Sequence, residues 1–229
     1  MPRFLYLFFS LILYLLSPYI SAQNIIDDKQ VYGLNPLLYN GKVYSYFPGD
    51  QVKGHQYFKQ KAFSEGCVSI RGTKYENILL NYDILNQEVI LKYSDPQGSN
   101  RLLAVSKAWL EKFSISNEQF SLINTPDGHK LIVQTLNQGK IQLHNHWTTR
   151  IIAEISFVAE HYTFEKKRNT LFISYENKLK KFNSTKDILN LFNDENKLKI
   201  KRYLKQNKLK TRRNSLNQLI GLINYCNQL

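Results

Sequence analysis

Up to about residue 182, short runs of alternating apolar and polar residues dominate the chain. A period of two is that of a β-strand, in which successive side chains point to opposite faces of a sheet. The clearest three runs contain Val68 and Ile70, then Ile78, Leu80 and Tyr82, then Val89, Leu91 and Tyr93. They predict a three-stranded meander with one apolar face, which is enough to begin a core.

Turn-forming residues separate further strand-like runs. The sequences Asn40-Gly41, Asp127-Gly128 and Asn137-Gln138-Gly139 contain residues that accept the positive φ of tight hairpins. The residues expected to pair across Gly139 are Leu131, Val133 and Thr135 on one strand and Ile141 and Leu143 on the other. A last hairpin is expected from Leu171 to Phe182. Strands at this spacing predict an antiparallel β-rich sandwich or a partly closed barrel.

A helical pattern replaces the strand pattern from Asn183 onwards. Ser184 followed by Asp187 resembles a capping box at the start of a short helix. Helical spacing indicates two more helices, with Leu198, Ile200, Tyr203 and Leu204 in one and Leu216, Leu219, Ile220 and Ile223 in the other. The predicted fold class is therefore α+β, with a small C-terminal helical unit after the β-rich part. A unit of this size is near the lower limit for folding alone, so we expect it to dock on the strands.

The first 22 residues have the pattern of a secretory signal peptide. Met1-Pro2-Arg3 is a short basic region, residues 4–16 are almost entirely apolar, and Ala22 is a small residue at the expected cleavage position. A retained membrane anchor is disfavoured because the apolar run is short for a bilayer span and is interrupted by Ser17-Pro18. The predicted division is a signal peptide at 1–22, a β-rich domain at 23–182 and a basic helical unit at 183–229.

Basic residues are concentrated towards the C-terminus. The chain has 31 Lys and Arg against 18 Asp and Glu, and residues 162–229 contain 16 of the basic and 5 of the acidic residues. The candidate binding residues are Lys199, Lys201, Arg202, Lys205, Lys208, Lys210, Arg212 and Arg213. Such a run is typical of a surface that binds anionic lipid or an acidic protein, and equally of the solvated face of helices packed on a core. Export makes nucleic acid the least available partner, and none is expected.

His144 and His146 are the candidate metal ligands. They lie two apart in an expected strand, so both imidazoles should project from one face, opposite Leu143. A zinc or copper site needs at least one more ligand. The residues that tertiary structure could bring near are His55, His129, His161 and Glu160. Two solvated histidines beside Trp147 are the simpler interpretation, so no cofactor is expected and a divalent metal is the alternative.

Other catalytic patterns are weak. The chain contains no G-x-S-x-G, H-E-x-x-H or P-loop sequence. Asp83, Glu88 and Asp95 flank the expected meander, where carboxylates form turns more often than general acid–base pairs. Cys67 and Cys226 could form a disulfide in an oxidising compartment, but the place of Cys226 on the apolar face of the last helix favours a buried free thiol.

The segment 39–58 is rich in aromatic residues. They are Tyr39, Tyr44, Tyr46, Phe47, Tyr57 and Phe58. A surface with so many rings could bind a carbohydrate or a peptide. Tyr and Phe are also common strand residues, and we favour the interpretation that these rings belong to the core.

The segment from Gly72 to Asp83 (GTKYENILLNYD) is similar to the pattern G-x-x-Y-x-x-V-x-L-x-Y-D of a group of exported Bacteroidota-type envelope proteins. The C-terminal part is similar as well, because the basic stretch from Lys199 to Lys210 and a last helix ending near Tyr225 follow a strand hairpin. The resemblance covers most of the chain after the signal peptide. It implies an envelope protein but no assigned activity and no catalytic residues.

These patterns together predict an exported, non-catalytic protein that binds or assembles a component of a Gram-negative-type envelope. The partner would be an envelope protein or an anionic envelope surface, contacted by the basic C-terminal unit or by the Tyr-rich segment. We expect the protein to be periplasmic or associated with the outer membrane, and peripheral rather than membrane-spanning. The alternative function is that of a metal-dependent periplasmic hydrolase centred on His144 and His146.

Overall fold

The computed structural model describes residues 35–46, 48–49, 52–125, 127–155, 160–176, 178–210 and 214–229, and the expected signal peptide lies outside them. Within these residues there are fourteen strands and three helices. The strands are β1 (Gly41–Val43), β2 (Val52–Lys53), β3 (Ser64–Ile70), β4 (Thr73–Asp83), β5 (Glu88–Ser94), β6 (Asn100–Val105), β7 (Leu110–Ile115), β8 (Glu118–Asn124), β9 (Lys130–Thr135), β10 (Ile141–Thr148), β11 (Ile151–Ile155), β12 (Glu160–Phe164), β13 (Arg168–Tyr175) and β14 (Lys178–Lys181). The helices are α1 (Thr185–Leu189), α2 (Asp194–Gln206) and α3 (Leu216–Cys226).

Eleven of these strands form one antiparallel sheet in the order β1-β6-β5-β4-β3-β7-β8-β9-β10-β13-β14. The sheet does not close, so β1 and β14 are its edges within the described residues. A second sheet has the order β11-β12-β2, in which β2 pairs with β12 in parallel. The α+β prediction is confirmed, because a sandwich-like antiparallel β structure precedes a small helical segment at the C-terminus.

The predicted meander is formed by β3, β4 and β5. Leu80 of β4 lies opposite Leu91 of β5, and both side chains are buried. The turn between β3 and β4 consists of Arg71 and Gly72, which have φ values of 48° and 78°. Two consecutive residues with positive φ are typical of the tight hairpin turn that matches the right-handed twist of strands. The local pattern was therefore sufficient to predict this part of the sheet.

The register between β9 and β10 differs from the prediction. His144 lies opposite Thr135, so Leu131 and Val133 do not face Ile141 and Leu143 as expected. The hairpin loop is longer because side chains bind the backbone groups at the start of β10. The Asn137 carboxamide accepts a hydrogen bond from the Leu143 N–H at 2.7 Å and donates one to the Ile141 carbonyl at 3.0 Å.

The centre of the large sheet is packed with aromatic rings. Phe113 and Phe120, on neighbouring strands β7 and β8, stack with ring centroids 4.7 Å apart. Tyr82 meets both rings edge to face, and Phe58 contacts Phe120 and Trp147 in the same way. Aromatic pairs in these geometries stabilise a core beyond the area they bury. The buried Tyr44 and Phe58 confirm that the aromatic segment belongs to the core, although Phe47 lies outside the described residues.

The helices pack on strands β10 and β13, as expected for a unit too small to fold alone. Ile141, Leu143 and Ile173 of the sheet share one buried cluster with the helices. The helical members of this cluster are Ile188, Ile200, Leu219, Leu222, Ile223 and Cys226. The helical end therefore has an aliphatic core of its own, completed by the sheet.

Local hydrogen bonds define where the helices begin. The predicted capping box is present at α1, where the Asp187 carboxylate accepts hydrogen bonds from the backbone N–H groups of Asn183 and Ser184 at 2.8 and 2.9 Å. Asn193 and Ser215 cap α2 and α3 by accepting from the N–H groups three residues further on. Such caps satisfy donors that have no partner within the helix.

Asn227, the residue that ends α3, ties the helical end to the sheet. Its carboxamide oxygen accepts from the Ile141 N–H at 2.8 Å, and its nitrogen donates to the Ile141 carbonyl at 2.9 Å. The side chain thus replaces a neighbouring strand at this point of β10. Gly139 is required beside it, because a Cβ there would lie 2.4 Å from the Asn227 side-chain nitrogen and the backbone φ is 133°.

Candidate functional site

His144 is buried rather than solvated, which corrects the simpler interpretation of the histidine pair. Its exposed fraction is 1%. Nε2 lies 2.8 Å from the Ser174 hydroxyl on β13, and Nδ1 lies 3.4 Å from the Thr135 hydroxyl on β9. Burial lowers the pKa of His144 to about 4, because the charged imidazolium loses its hydration. At neutral pH the imidazole is uncharged, and both ring nitrogens face hydroxyl groups.

His146 is half-buried on the same face of β10. Its Nδ1 lies 2.8 Å from the Ile132 carbonyl oxygen and therefore carries the proton in this hydrogen bond. This leaves Nε2 of His146 as the ring nitrogen of the pair with no hydrogen bond to the described residues. Within those residues, no group of three His, Cys, Asp or Glu side chains is arranged to hold a metal ion.

Ser174 and Thr135 are polar partners of His144 that the sequence analysis missed. With Ser121, whose hydroxyl lies 3.4 Å from that of Thr135, they form a row of polar side chains across four strands. Ser174 also lines an open cleft of about 750 Å³ beside the β13–β14 turn. A serine hydrogen-bonded to a histidine has the geometry of a nucleophile beside its general base. Here the third group is a hydroxyl rather than a carboxylate, and an imidazole with a pKa of about 4 is a weak base at neutral pH.

The carboxylates that flank the meander form turns and ion pairs, as the sequence favoured. Asp95 accepts from the Gln97 and Ser99 N–H groups and from Arg101, and these hydrogen bonds hold the pKa of Asp95 below its usual range. Glu88 pairs with Lys42 at 2.5 Å. Asp95 is thus engaged by a turn and by Arg101, and Glu88 by Lys42.

Asp83 is fully buried, which the sequence did not predict. Its carboxylate accepts hydrogen bonds from the Tyr44 hydroxyl at 2.8 Å, from the Asn86 carboxamide at 2.8 Å, and from the Leu85 and Asn86 N–H groups. Gln56 donates in turn to the Tyr44 hydroxyl. Burial, reinforced by the contact with Asp83, raises the pKa of Tyr44 far above its usual range. These contacts fully engage the carboxylate, so the group closes the β4–β5 turn rather than facing a substrate.

The two cysteines are free thiols, which excludes the disulfide in this structure. Cys226 is buried among the helices, and burial raises the pKa of its thiol to about 12. Cys67 is half-buried on β3, with its sulfur 3.1 Å from the Ser114 hydroxyl. The favoured interpretation of Cys226 as a buried thiol is confirmed.

The basic C-terminal residues are exposed wherever the structure describes them. Lys199, Lys201, Arg202 and Lys205 lie on α2, and Ile200 is the residue that α2 buries. Lys208 and Lys210 follow the helix and are also exposed. Arg212 and Arg213 lie outside the described residues. These exposed side chains give the described part of the C-terminal unit a basic surface.

The three acidic residues between 178 and 210 are each paired with a lysine. Asp187 lies 3.6 Å from Lys180, Asp194 lies 3.0 Å from Lys197, and Glu195 lies 2.7 Å from Lys199. The remaining cations of this range form no ion pair with the described residues and are all exposed. They are Lys178, Lys181, Lys186, Lys201, Arg202, Lys205, Lys208 and Lys210, and we call them the unpaired cations.

Comparison of the chain with protein-family models, with curated proteins and with solved structures gave no match. The resemblance of residues 72–83 to exported envelope proteins therefore stays a prediction. In the part of the chain that the structure describes, none of the helices has both the length and the hydropathy of a membrane span.

Proposed function

We propose that this protein is an exported, non-catalytic component of a cell envelope. Its basic helical end would hold an anionic envelope surface or an acidic envelope protein. The observation that carries the proposal is the set of eight unpaired cations within residues 178–210, which contain three acidic residues.

An excess of unpaired cations is unfavourable for the isolated protein, because like charges repel each other. An anionic partner removes this repulsion and gains attraction that acts over about 8 Å at physiological salt. The β-rich part between residues 35 and 177 has no comparable excess of charge. Residues 35–177 contain 16 basic and 13 acidic residues, so their charges nearly balance.

The test is retention of the exported chain, residues 23–229, on an isolated envelope fraction. Wild-type protein should sediment with the envelope at about 0.05 M NaCl and be released at about 0.5 M NaCl, because salt screens the attraction. Replacing Lys201, Arg202, Lys205 and Lys208 together by Gln should reduce retention by about tenfold or more. We call this protein the four-cation variant.

A matched control removes the same charge from the β-rich part. Lys53, Lys61, Lys112 and Lys140 are also exposed, and their joint replacement by Gln should leave retention close to that of wild type. Equal losses in both variants would mean that net charge alone governs retention. Wild-type retention in the four-cation variant would refute the proposal.

A metal-dependent hydrolase at His144 and His146 is the second candidate. The observation that favours it is that Nε2 of His146 makes no hydrogen bond to the described residues. A zinc ion held there would need further ligands from a partner or from residues outside the described ranges. Metal analysis of the purified protein decides between the two functions. One bound zinc per chain that is lost in a His146→Ala variant would favour the hydrolase over the non-catalytic function. An absence of bound metal at saturating zinc would exclude the metal site.

A further inference from the structure

We infer that the partner of the basic helical end is the surface of an anionic lipid bilayer, and that the side chain of Leu198 enters that bilayer when α2 lies on it. This inference rests on the proposed function and names the class of its partner. The observation behind it is Leu198, an apolar side chain that is exposed on α2.

Leu198 is 57% exposed, although it belongs to a helix whose apolar residues otherwise face the core. Successive residues of an α-helix are about 100° apart, so Leu198 lies about 160° from the buried Ile200. It therefore occupies the middle of the outer face of α2. Leu198 is not part of the buried cluster of the helical end.

On the outer face of α2, Asp194 and Glu195 lie at i−4 and i−3 from Leu198, and cations lie on its C-terminal side. Lys201, Arg202 and Lys205 follow it at i+3, i+4 and i+7, which are the neighbouring positions on one helix face. None of the three forms an ion pair with the described residues, whereas the first turn of α2 is neutralised by the pairs of Asp194 with Lys197 and Glu195 with Lys199. The outer face of α2 thus presents Leu198 with unpaired cations on its C-terminal side.

A bilayer satisfies both kinds of side chain at once. Phosphate-bearing headgroups attract the cations, and the acyl boundary just below them accepts an apolar side chain. An acidic protein would satisfy the cations but would need its own apolar pocket for Leu198. The outer face of a helix is convex, which suits the surface of a bilayer, whereas a free anion would require a concave group of donors. Long lysine and arginine side chains also reach upward to headgroups while a shorter leucine points down.

The test separates attraction to charge from insertion into lipid. Sedimentation with vesicles of phosphatidylcholine and phosphatidylglycerol measures bilayer binding, and vesicles of phosphatidylcholine alone measure the neutral background. Elution from heparin–agarose measures attraction to a polyanion that has no hydrocarbon interior. We expect Leu198→Ser to weaken binding to the anionic vesicles by about tenfold while its elution from heparin stays at the wild-type salt concentration.

Three further variants complete the design. Leu79→Ser removes another exposed leucine, 39% exposed on β4, and should leave both measurements unchanged. Leu198→Phe should bind anionic vesicles at least as tightly as wild type, because it keeps an apolar side chain at the same place. The four-cation variant should lose both vesicle and heparin binding. These variants alter exposed side chains, so circular dichroism should show wild-type folding in each.

The outcomes distinguish the two proposals. If wild type binds heparin and the envelope fraction but not anionic vesicles, the bilayer inference fails and the proposed function stands. If Leu198→Ser binds vesicles as wild type does, insertion of Leu198 is refuted. If wild type binds neither heparin, vesicles nor envelope, the proposed function fails and the inference fails with it.

Discussion

The β-rich body and the helical end differ in how they distribute charge. Residues 35–177 contain 16 basic and 13 acidic residues, and residues 178–213 contain 13 basic and 3 acidic residues. In the body, some acids and bases pair between segments distant in sequence, as in Lys59 with Glu118 and Arg150 with Glu165. In the helical end, the three acidic residues lie in the first turns of helices, and each is paired with a lysine. The outer face is left cationic, and it is this asymmetry that points to a partner.

Their cores differ as well. Phenylalanine and tyrosine rings are fully buried in the body, whereas the fully buried side chains of the helical end are aliphatic and its stacked pair, Tyr203 and Tyr225, is only partly buried. The helical end also shares Ile141, Leu143 and Ile173 of the sheet. The strands of the body pair with each other over long sequence distances, whereas the helices are completed by packing on β10 and β13. The large sheet therefore contributes residues to two separate buried clusters.

The largest expected effect is in the aromatic core. Phe120→Ala should lower the free energy of unfolding by about 3–5 kcal/mol, because the ring is 1% exposed and contacts three other rings. Urea unfolding of the purified protein measures this loss. Val43→Ala, at a position 79% exposed, is the control and should change stability by less than about 0.5 kcal/mol. An equally small loss in Phe120→Ala would show that the ring cluster contributes little to the stability of the body.

A cavity in the helical end should have a more local effect. Leu222 is fully buried, and Leu222→Ala should destabilise the helices by about 2–5 kcal/mol. Because the helical end has its own core, amide hydrogen exchange should accelerate in α1 to α3 and in β10, while β4 and β7 stay protected. Uniform acceleration across the chain would mean that sheet and helices unfold as one unit, which would break the distinction between them.

The pH dependence of the body should come from His144. Its pKa is about 4 in the folded protein and about 6.5 when unfolded, so the unfolded state binds more protons between these values. The free energy of unfolding is therefore highest above about pH 6.5 and decreases as the pH falls to about 4, by about 3 kcal/mol in total. Urea midpoints at several pH values should show this decline in wild type. A His144→Gln variant should be flatter over the same range, and the exposed His129→Gln should behave as wild type.

The junction of the two regions can be weakened at Asn227. Asn227→Ala removes both hydrogen bonds to Ile141 and leaves its backbone groups without those partners, so we expect a loss of about 1–3 kcal/mol. Asn190→Ala is a matched control, since Asn190 also ends a helix but is exposed. Thermal unfolding monitored by circular dichroism measures both. An equal change in the two variants would show that Asn227 acts only as a helix cap.

The smallest effect concerns the capping box of α1. Burial tends to raise the pKa of Asp187, but the hydrogen bonds from Asn183 and Ser184 and the nearby Lys180 lower it below its usual value. Asp187→Ala should cost about 0.5–2 kcal/mol at neutral pH. Because the folded pKa is lowered, this difference is present above about pH 4 and should vanish as pH falls through the folded value. A difference that persists in acid would show that the carboxylate charge is not the source.

Several features of the fold and site could be predicted because they depend on neighbours in the chain. The meander of β3 to β5 follows from apolar residues of period two separated by turn residues, and the capping box follows from Ser184 and Asp187 three positions apart. The register of β9 and β10 was not predicted, because side chains bind the backbone at the start of β10. Asn137 binds Ile141 and Leu143 from within the loop, and Asn227 reaches Ile141 from a distant part of the chain. The burial of His144 is equally non-local, since Ser174 and Thr135 come from two other strands.

The sequence by itself determined the fold class, the excess of cations near the C-terminus and the elements with clear periodicity, such as the meander and the three helices. Periodicity, capping and composition depend on residues close together in the sequence, so they can be read without knowledge of the tertiary structure. Only the tertiary structure decided that His144 is buried and neutral, that the acids of the helical end are paired, and that Leu198 faces outward with unpaired cations on its C-terminal side. Burial and pairing depend on which distant segments meet, because the free energy of a charge or an apolar side chain is set by what surrounds it in space.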